Sequence, residues 1–203
     1  MKSLYVTERS AIGDVAFERL LESLEGASGL TVELREKGTP DSEALHWAEV
    51  ARETLGPEVP LFVNRRLDVA LAAEADGVHL PADGLPLSRV RSASPRGLKV
   101  GVSTHSVEEA LRAVGEGADL VVVGPIFETP SKRSFGPPLG PDILGELPPL
   151  DRHGSEVFAI GGIDESRLER VAPFRDHVSG IAAIRLFQEA VDPRAVVERI
   201  ARL

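Results

Sequence analysis

Most residues able to do chemistry stand just after short apolar runs: Arg35, Glu36 and Lys37, then Asn64, then Ser103 and His105, then Thr129 through Lys132 to Arg133. Guanidinium and ammonium groups hold anions, Asn and Ser side chains exchange hydrogen bonds, and an imidazole takes or gives a proton near neutral pH. His105 is therefore the candidate proton carrier, with a helix-start or packing role equally open. Arg35 and Lys37 have an alternative as an exposed ion-pair cluster with Glu33 and Glu36, an arrangement that contributes little to stability. His79 lies inside an apolar run and reads first as a satisfied core histidine. His46, His153 and His177 receive no role. A separate candidate is Ala159-Ile160-Gly161-Gly162-Ile163, an apolar run ending in two glycines before Asp164. Backbone N–H groups at such a turn, next to a helix start, can cradle a phosphate; a plain tight turn is the other reading. No histidine and carboxylate pairing has metal-ligand spacing, so an intrinsic catalytic metal is not indicated.

These residues need elements that bring them to one place. Eight apolar runs recur: Ser3 to Val6, Leu30 to Leu34, Leu61 to Val63, Gly77 to Leu80, Lys99 to Val102, Leu120 to Val123, Val157 to Ile160 and Val178 to Ala182. Between them lie stretches with helical spacing, such as Phe17-Leu20-Leu21-Leu24, Ala44-Trp47-Ala48-Ala51-Leu55 and Val107-Ala110-Leu111-Val114. Alternation of this kind predicts βα units and a parallel sheet. Ser106 and Asp164 read as N-caps with carboxylates behind them, which ends the preceding strands just before those positions. An open doubly wound sheet would carry a glycine-rich turn after its first strand, whereas Thr7-Glu8-Arg9-Ser10 has no glycine. The expectation is one closed (β/α)8 barrel spanning residues 1–203, with the candidate residues converging on the C-terminal mouth where such barrels build their sites. The irregular stretch from Gly124 to Pro141, with five prolines and three glycines, belongs on that same face.

Composition narrows the chemistry. At 203 residues and 42% hydrophobic content the chain can fill one core. With no cysteine, disulfides, thiolate nucleophiles and Cys-ligated metals are excluded. A net charge of −9 opposes nucleic acid and acidic membrane surfaces while allowing a local cationic pocket. No apolar run approaches the roughly 18 residues of a membrane span, and the first residues lack a secretory pattern, so a cytoplasmic location is expected.

The blocks Val32-Glu33-Leu34-Arg35-Glu36-Lys37, Val63-Asn64-Arg65 with Asp68-Val69-Ala70-Leu71, Ala75-Asp76-Gly77-Val78-His79-Leu80, Gly101-Val102-Ser103-Thr104-His105-Ser106, Gly117-Ala118-Asp119 and Val123-Gly124-Pro125-Ile126-Phe127 follow in order. Together they resemble the thiamine phosphate synthase and TenI superfamily, over Leu4 to Pro193. The resemblance implies a (β/α)8 barrel acting on a thiazole phosphate in thiamine biosynthesis. It also implies that Gly161, Gly162, Ile184 and Arg185 hold the phosphate, and that Arg35, Lys37, Asn64, Ser103, Thr129 and Lys132 meet the substrate.

Two activities share that scaffold. A synthase joins the thiazole phosphate to a pyrimidine diphosphate with Mg²⁺, and a tautomerase aromatises a carboxythiazole phosphate without metal. In the synthase pattern an acid follows Asn64 and another lies beyond the His79 strand; here those positions are Arg65 and Gly84. A guanidinium cannot ligate Mg²⁺, which leaves nearby Asp83 as the substitute donor. The glutamine expected before the Arg-x-Lys element is Glu33, a poor host for a diphosphate. The serine expected near the eighth strand is Arg185, which either contacts phosphate or faces solvent. Leu80-Pro81 and Ser103-Thr104-His105-Ser106 resemble the tautomerase branch, where His105 matches the proton shuttle. The expectation is therefore an isomerase, a thiazole tautomerase that needs no cofactor, with His105 catalytic. The alternatives are the Mg²⁺-dependent synthase and a non-catalytic regulatory barrel. The implied partner is a small thiazole phosphate, without nucleic acid or membrane, and a homodimer is a family expectation.

Overall fold

The computed structural model describes residues 1–129, 137–152 and 154–203. Eight parallel strands close into a barrel in chain order: β1 (Lys2–Val6), β2 (Leu30–Leu34), β3 (Leu61–Asn64), β4 (Gly77–Leu80), β5 (Lys99–Thr104), β6 (Leu120–Val123), β7 (Glu156–Ile160) and β8 (Gly180–Ala183). Closure comes from β1 pairing with β8, where Leu4 lies opposite Ala182. The expected runs and observed strands agree to within about two residues, because each is bounded by a polar or turn residue that breaks the apolar pattern. Around the barrel run α1 (Asp14–Ser23), α2 (Asp41–Leu55), α3 (Leu67–Ala72), α4 (Leu87–Ala93), α5 (Val107–Gly115), α6 (Leu168–Val171), α7 (Arg185–Gln188) and α8 (Pro193–Ala201).

Helix starts follow their sequence signals. Ser106 Oγ accepts the Glu109 backbone N–H at 3.1 Å, with Glu108 and Glu109 in the first turn of α5. At α8 the Asp192 carboxylate accepts the Arg194 and Ala195 N–H groups, and Pro193 takes the first helical position, where no N–H is needed. Asp164 precedes only a short 3-10 turn, and its carboxylate accepts the Ser166 hydroxyl at 2.6 Å.

Strand alternation sorts side chains between two layers. Tyr5, Val32, Leu34, Val63, Val78, Leu80, Val100, Val121 and Val157 face the helices and form the larger core with Phe17, Trp47 and Leu55. Leu4, Val6, Phe62, Leu120, Val122, Phe158 and Ala182 form a second cluster inside the barrel. By the same alternation Glu33, Asn64, His79 and Ser103 also point inward, so one side of the barrel interior is polar. Among the described residues no helix is long and apolar enough to cross a membrane.

Candidate active site

The polar residues inside the barrel form a connected chain. Asn64 Nδ2 donates to Glu33 Oε1 at 2.8 Å. Glu33 Oε2 lies 3.6 Å from His79 Nδ1, too far for a hydrogen bond, and that nitrogen is buried with no hydrogen-bonding partner among the described residues. His79 Nε2 and Ser103 Oγ are 2.8 Å apart. Glu33 and His79 are buried, while Asn64 and Ser103, one at the end of β3 and the other near the end of β5, are half-buried and reach the mouth. Strand register explains the assembly: Asn64 is paired with His79 and His79 with Gly101. A Cβ at residue 101 would lie 2.6 Å from His79 Nδ1, so glycine there makes room for the ring. Burial holds the His79 imidazolium below the ordinary histidine range, an effect that Glu33 opposes and Arg35 reinforces.

Above this chain, the rim of β1 and β2 is tied by Arg9, which ion-pairs with Glu36 at 3.0 Å, with Glu43 at 2.6 Å and with Asp14. The Thr7 hydroxyl donates to Glu36 Oε1 at 3.3 Å and accepts the Arg35 backbone N–H at 2.9 Å. Glu36 is thus taken by Arg9 and Glu33 by Asn64. Among the described residues no carboxylate lies within ion-pair distance of the Arg35 guanidinium, so the alternative in which Arg35 joins an ion-pair cluster with Glu33 and Glu36 does not hold. The reason is direction: Glu33 and Arg35 share a strand phase, but Glu33 is held down inside the barrel. Its burial also removes the objection that an acid there must face a bound diphosphate. Lys37 is exposed on the loop after β2, and Thr129 is buried in the stretch after β6. Lys132 and His153 lie outside the described residues.

The glycine turn after β7 is a tight crossing as well as a candidate anion cradle. Gly161 and Gly162 have φ of 102° and 65°, a region L-residues avoid. A Cβ at Gly161 would meet Pro125 at 2.6 Å, and one at Gly162 would meet the Glu128 carbonyl at 2.6 Å. Phe127 N–H donates to Gly161 O at 2.9 Å, which stitches the β6 loop to this turn. Ile184 and Arg185 follow β8 next to it. Arg185 is exposed, and among the described residues no carboxylate lies within ion-pair distance of it.

Two of the residues behind the tautomerase expectation are accounted for locally. His105 is exposed at the start of α5; its Nδ1–H donates to the Gly124 carbonyl at 2.8 Å and its backbone N–H to Glu109 Oε2 at 2.6 Å. Arg65 adopts a left-handed backbone, φ 64°, donates its N–H to His79 O at 2.8 Å, and ion-pairs with Asp83. The acid that was to stand in for a missing Mg²⁺ ligand is therefore already neutralised. Among the described residues no group of three His, Asp or Glu side chains is arranged to hold a metal. The residues at the two expected ligand positions do not fit a resident Mg²⁺. Mg²⁺ commonly binds through one or two carboxylates together with substrate phosphate oxygens, so an ion arriving with a diphosphate would belong to the substrate.

A closed parallel barrel with polar groups at the C-terminal mouth is a (β/α)8 barrel, a fold that builds its sites on that face. The family model described as thiamine monophosphate synthase matches residues 4–187, and the chain belongs to that family. It is 40% identical over 184 residues to a thiamine-phosphate synthase of Methanoculleus marisnigri, covering 89% of this chain and 86% of that protein. It is 36% identical over 197 residues to a thiamine-phosphate synthase of Roseiflexus sp. strain RS-1, covering 96% and 81%. The thiamine phosphate pyrophosphorylase structure from Pyrococcus furiosus superposes with a TM-score of 0.83 at 30% identity, covering 99% of this chain and 94% of that one.

These likenesses overturn the tautomerase expectation: the relatives carry the synthase name along nearly their whole length, against the tautomerase branch, the isomerase class and the proton-shuttling role given to His105. The expectation of chemistry without a cofactor falls with it, because the synthase is the activity that the resemblance associates with Mg²⁺. That expectation gave too much weight to two substitutions at the rim, Arg65 and Gly84, and to one exposed histidine.

The connected set Glu33, Asn64, His79 and Ser103 escaped the sequence reading, which treated Glu33 as a defect and His79 as core. A signal was present. Glu33 and His79 each stand one residue before the end of an otherwise apolar strand, in the inward phase.

Proposed function

We propose that this chain is a thiamine-phosphate synthase, a transferase that joins a thiazole phosphate to a pyrimidine diphosphate and releases diphosphate. The observation that carries the reading is its likeness to synthases along nearly the whole chain, including the Pyrococcus furiosus pyrophosphorylase at TM-score 0.83. The geometry is consistent with it. Arg35, which follows β2 and meets no carboxylate among the described residues, and Lys37 supply positive charge for the diphosphate, where charge-assisted hydrogen bonds are strongest. Gly161, Gly162, Ile184 and Arg185 hold the monophosphate of the thiazole at the β7 and β8 loops, the usual phosphate corner of such barrels. Asn64 and Ser103 orient the ring between them, with Thr129 in the stretch after β6. The protein then acts mainly by holding two anionic reactants in line and excluding water, which is where large rate gains of this kind originate.

The test is to incubate the protein with both substrates and Mg²⁺ and to follow thiamine phosphate by its oxidation to a fluorescent thiochrome. Product that requires both substrates is expected. Its absence, with the protein folded by circular dichroism, would sink the reading.

A further inference from the structure

The chain Asn64–Glu33–His79–Ser103 has a direction. His79 is buried, and its Nδ1 faces Glu33 Oε2 at 3.6 Å with no other partner among the described residues, while Nε2 meets Ser103 Oγ at 2.8 Å. A neutral imidazole carries one proton, on one nitrogen or the other, and its surroundings choose which. The negative carboxylate favours the proton on Nδ1. Nε2 is then an acceptor, so the short contact to Ser103 has the serine hydroxyl donating. With that hydrogen committed, the remaining lone pairs of Ser103 Oγ are left for the half-exposed mouth.

We infer that Glu33 sets the tautomer of His79 and, through it, the polarity of Ser103, making that serine an acceptor that selects a substrate presenting an N–H at the β5 end of the mouth. Glu33 and His79 are positioning residues here. The substrate half of the inference rests on the synthase reading; the tautomer half rests on the geometry alone. A site built to accept a hydrogen bond from an N–H discriminates against an analogue lacking it, because a bound ligand that covers the half-buried Ser103 hydroxyl would leave its acceptor unpaired.

Glu33→Gln reverses the direction without changing shape. Asn64 Nδ2 donates to Oε1 of residue 33 at 2.8 Å, so a glutamine keeps its oxygen on Asn64 and turns its amide N–H₂ toward His79 Nδ1. Nδ1 becomes the acceptor, Nε2 carries the proton and donates to Ser103, and the serine hydroxyl turns to donate into the mouth.

The experiment is a long-range ¹H–¹⁵N correlation spectrum of the full chain labelled in its five histidines, with the His79 signal assigned by its loss in His79→Gln. The expected result is the Nδ1–H tautomer in the wild type and the Nε2–H tautomer in Glu33→Gln. An Nε2–H tautomer in the wild type overturns the inference without reference to any variant, as does an unchanged tautomer in a folded Glu33→Gln. In the synthase assay the readout is the ratio of kcat/KM for the aminopyrimidine diphosphate to that for an acceptor analogue, which Glu33→Gln is expected to lower by about 10-fold, the scale of one hydrogen bond. Against a pyrimidine whose amino group is replaced by a methoxy acceptor, the variant should do relatively better than the wild type. A switched tautomer with no change in substrate preference overturns the substrate half. A wild type that makes no thiamine phosphate removes the synthase reading and the substrate half together, while the spectrum still decides the tautomer half.

Discussion

Strands β6, β7, β8 and β1 fill their side of the barrel with Leu120, Val122, Phe158, Ala182, Leu4 and Val6, whereas β2 to β5 put Glu33, Asn64, His79 and Ser103 at the inward positions nearest the mouth. The two sides share one backbone plan, and their differences are chemical. The apolar side gains free energy from every buried methylene and asks nothing of direction. The polar side costs desolvation and is tolerable only because most of its groups are matched, residue to residue, across strands. Among the described residues His79 Nδ1 is the unmatched side-chain atom on that side, and it lies beside a carboxylate. Stability is therefore concentrated on one side of the barrel and orientation on the other.

Four measurements would break or sharpen that contrast. The largest expected effect is on the apolar side: Phe158→Ala, at a fully buried ring, should cost about 3–5 kcal/mol of unfolding free energy in urea titrations. A loss below about 1 kcal/mol would mean that the interior cluster does not carry stability. Next, Arg35→Ala should raise KM for the pyrimidine diphosphate about 10- to 100-fold, the scale of hydrogen bonds to a charged group, while leaving the urea midpoint where it was. An unchanged KM would place the diphosphate elsewhere.

Third, acid should reach the polar side through His79. Its folded pKa lies below the unfolded value of about 6.5, so below that pH the unfolded chain binds a proton that the folded one resists. Stability contributed by the neutral ring is full above about pH 6.5 and is lost as pH falls. The groups facing the ring are Glu33, which opposes this, Arg35, which reinforces it, and Ser103. Urea midpoints of His79→Gln should fall less steeply between pH 7 and 5 than those of the wild type, and equal slopes would contradict the assignment. The smallest effect lies outside both sides: Ser106→Ala removes the α5 cap and should cost about 1 kcal/mol with no change in KM for either substrate.

Much of the fold was legible because its signals are local. Each apolar run ends at a turn or polar residue, and the Ser106 cap was readable from the hydroxyl and the two glutamates behind it. The mouth was legible too, since residues just past parallel strands must share one end of a barrel. The ion pairs were not. Arg9 took Glu36, which neighbouring sequence had offered to Arg35 and Lys37, and Arg65 took Asp83 across 18 residues. The choice between branches also went wrong, because it was made from a few rim positions when the likeness extends over the whole chain.

By itself, then, the sequence determined the eight strands and the face on which chemistry collects, both of which follow from short-range periodicity and turn residues. Only the tertiary structure decided that Glu33 turns inward to Asn64, 31 residues away, and that His79 meets Ser103 across 24. Those contacts depend on strand register and on the room left by Gly101, and both arise only when distant segments are brought side by side.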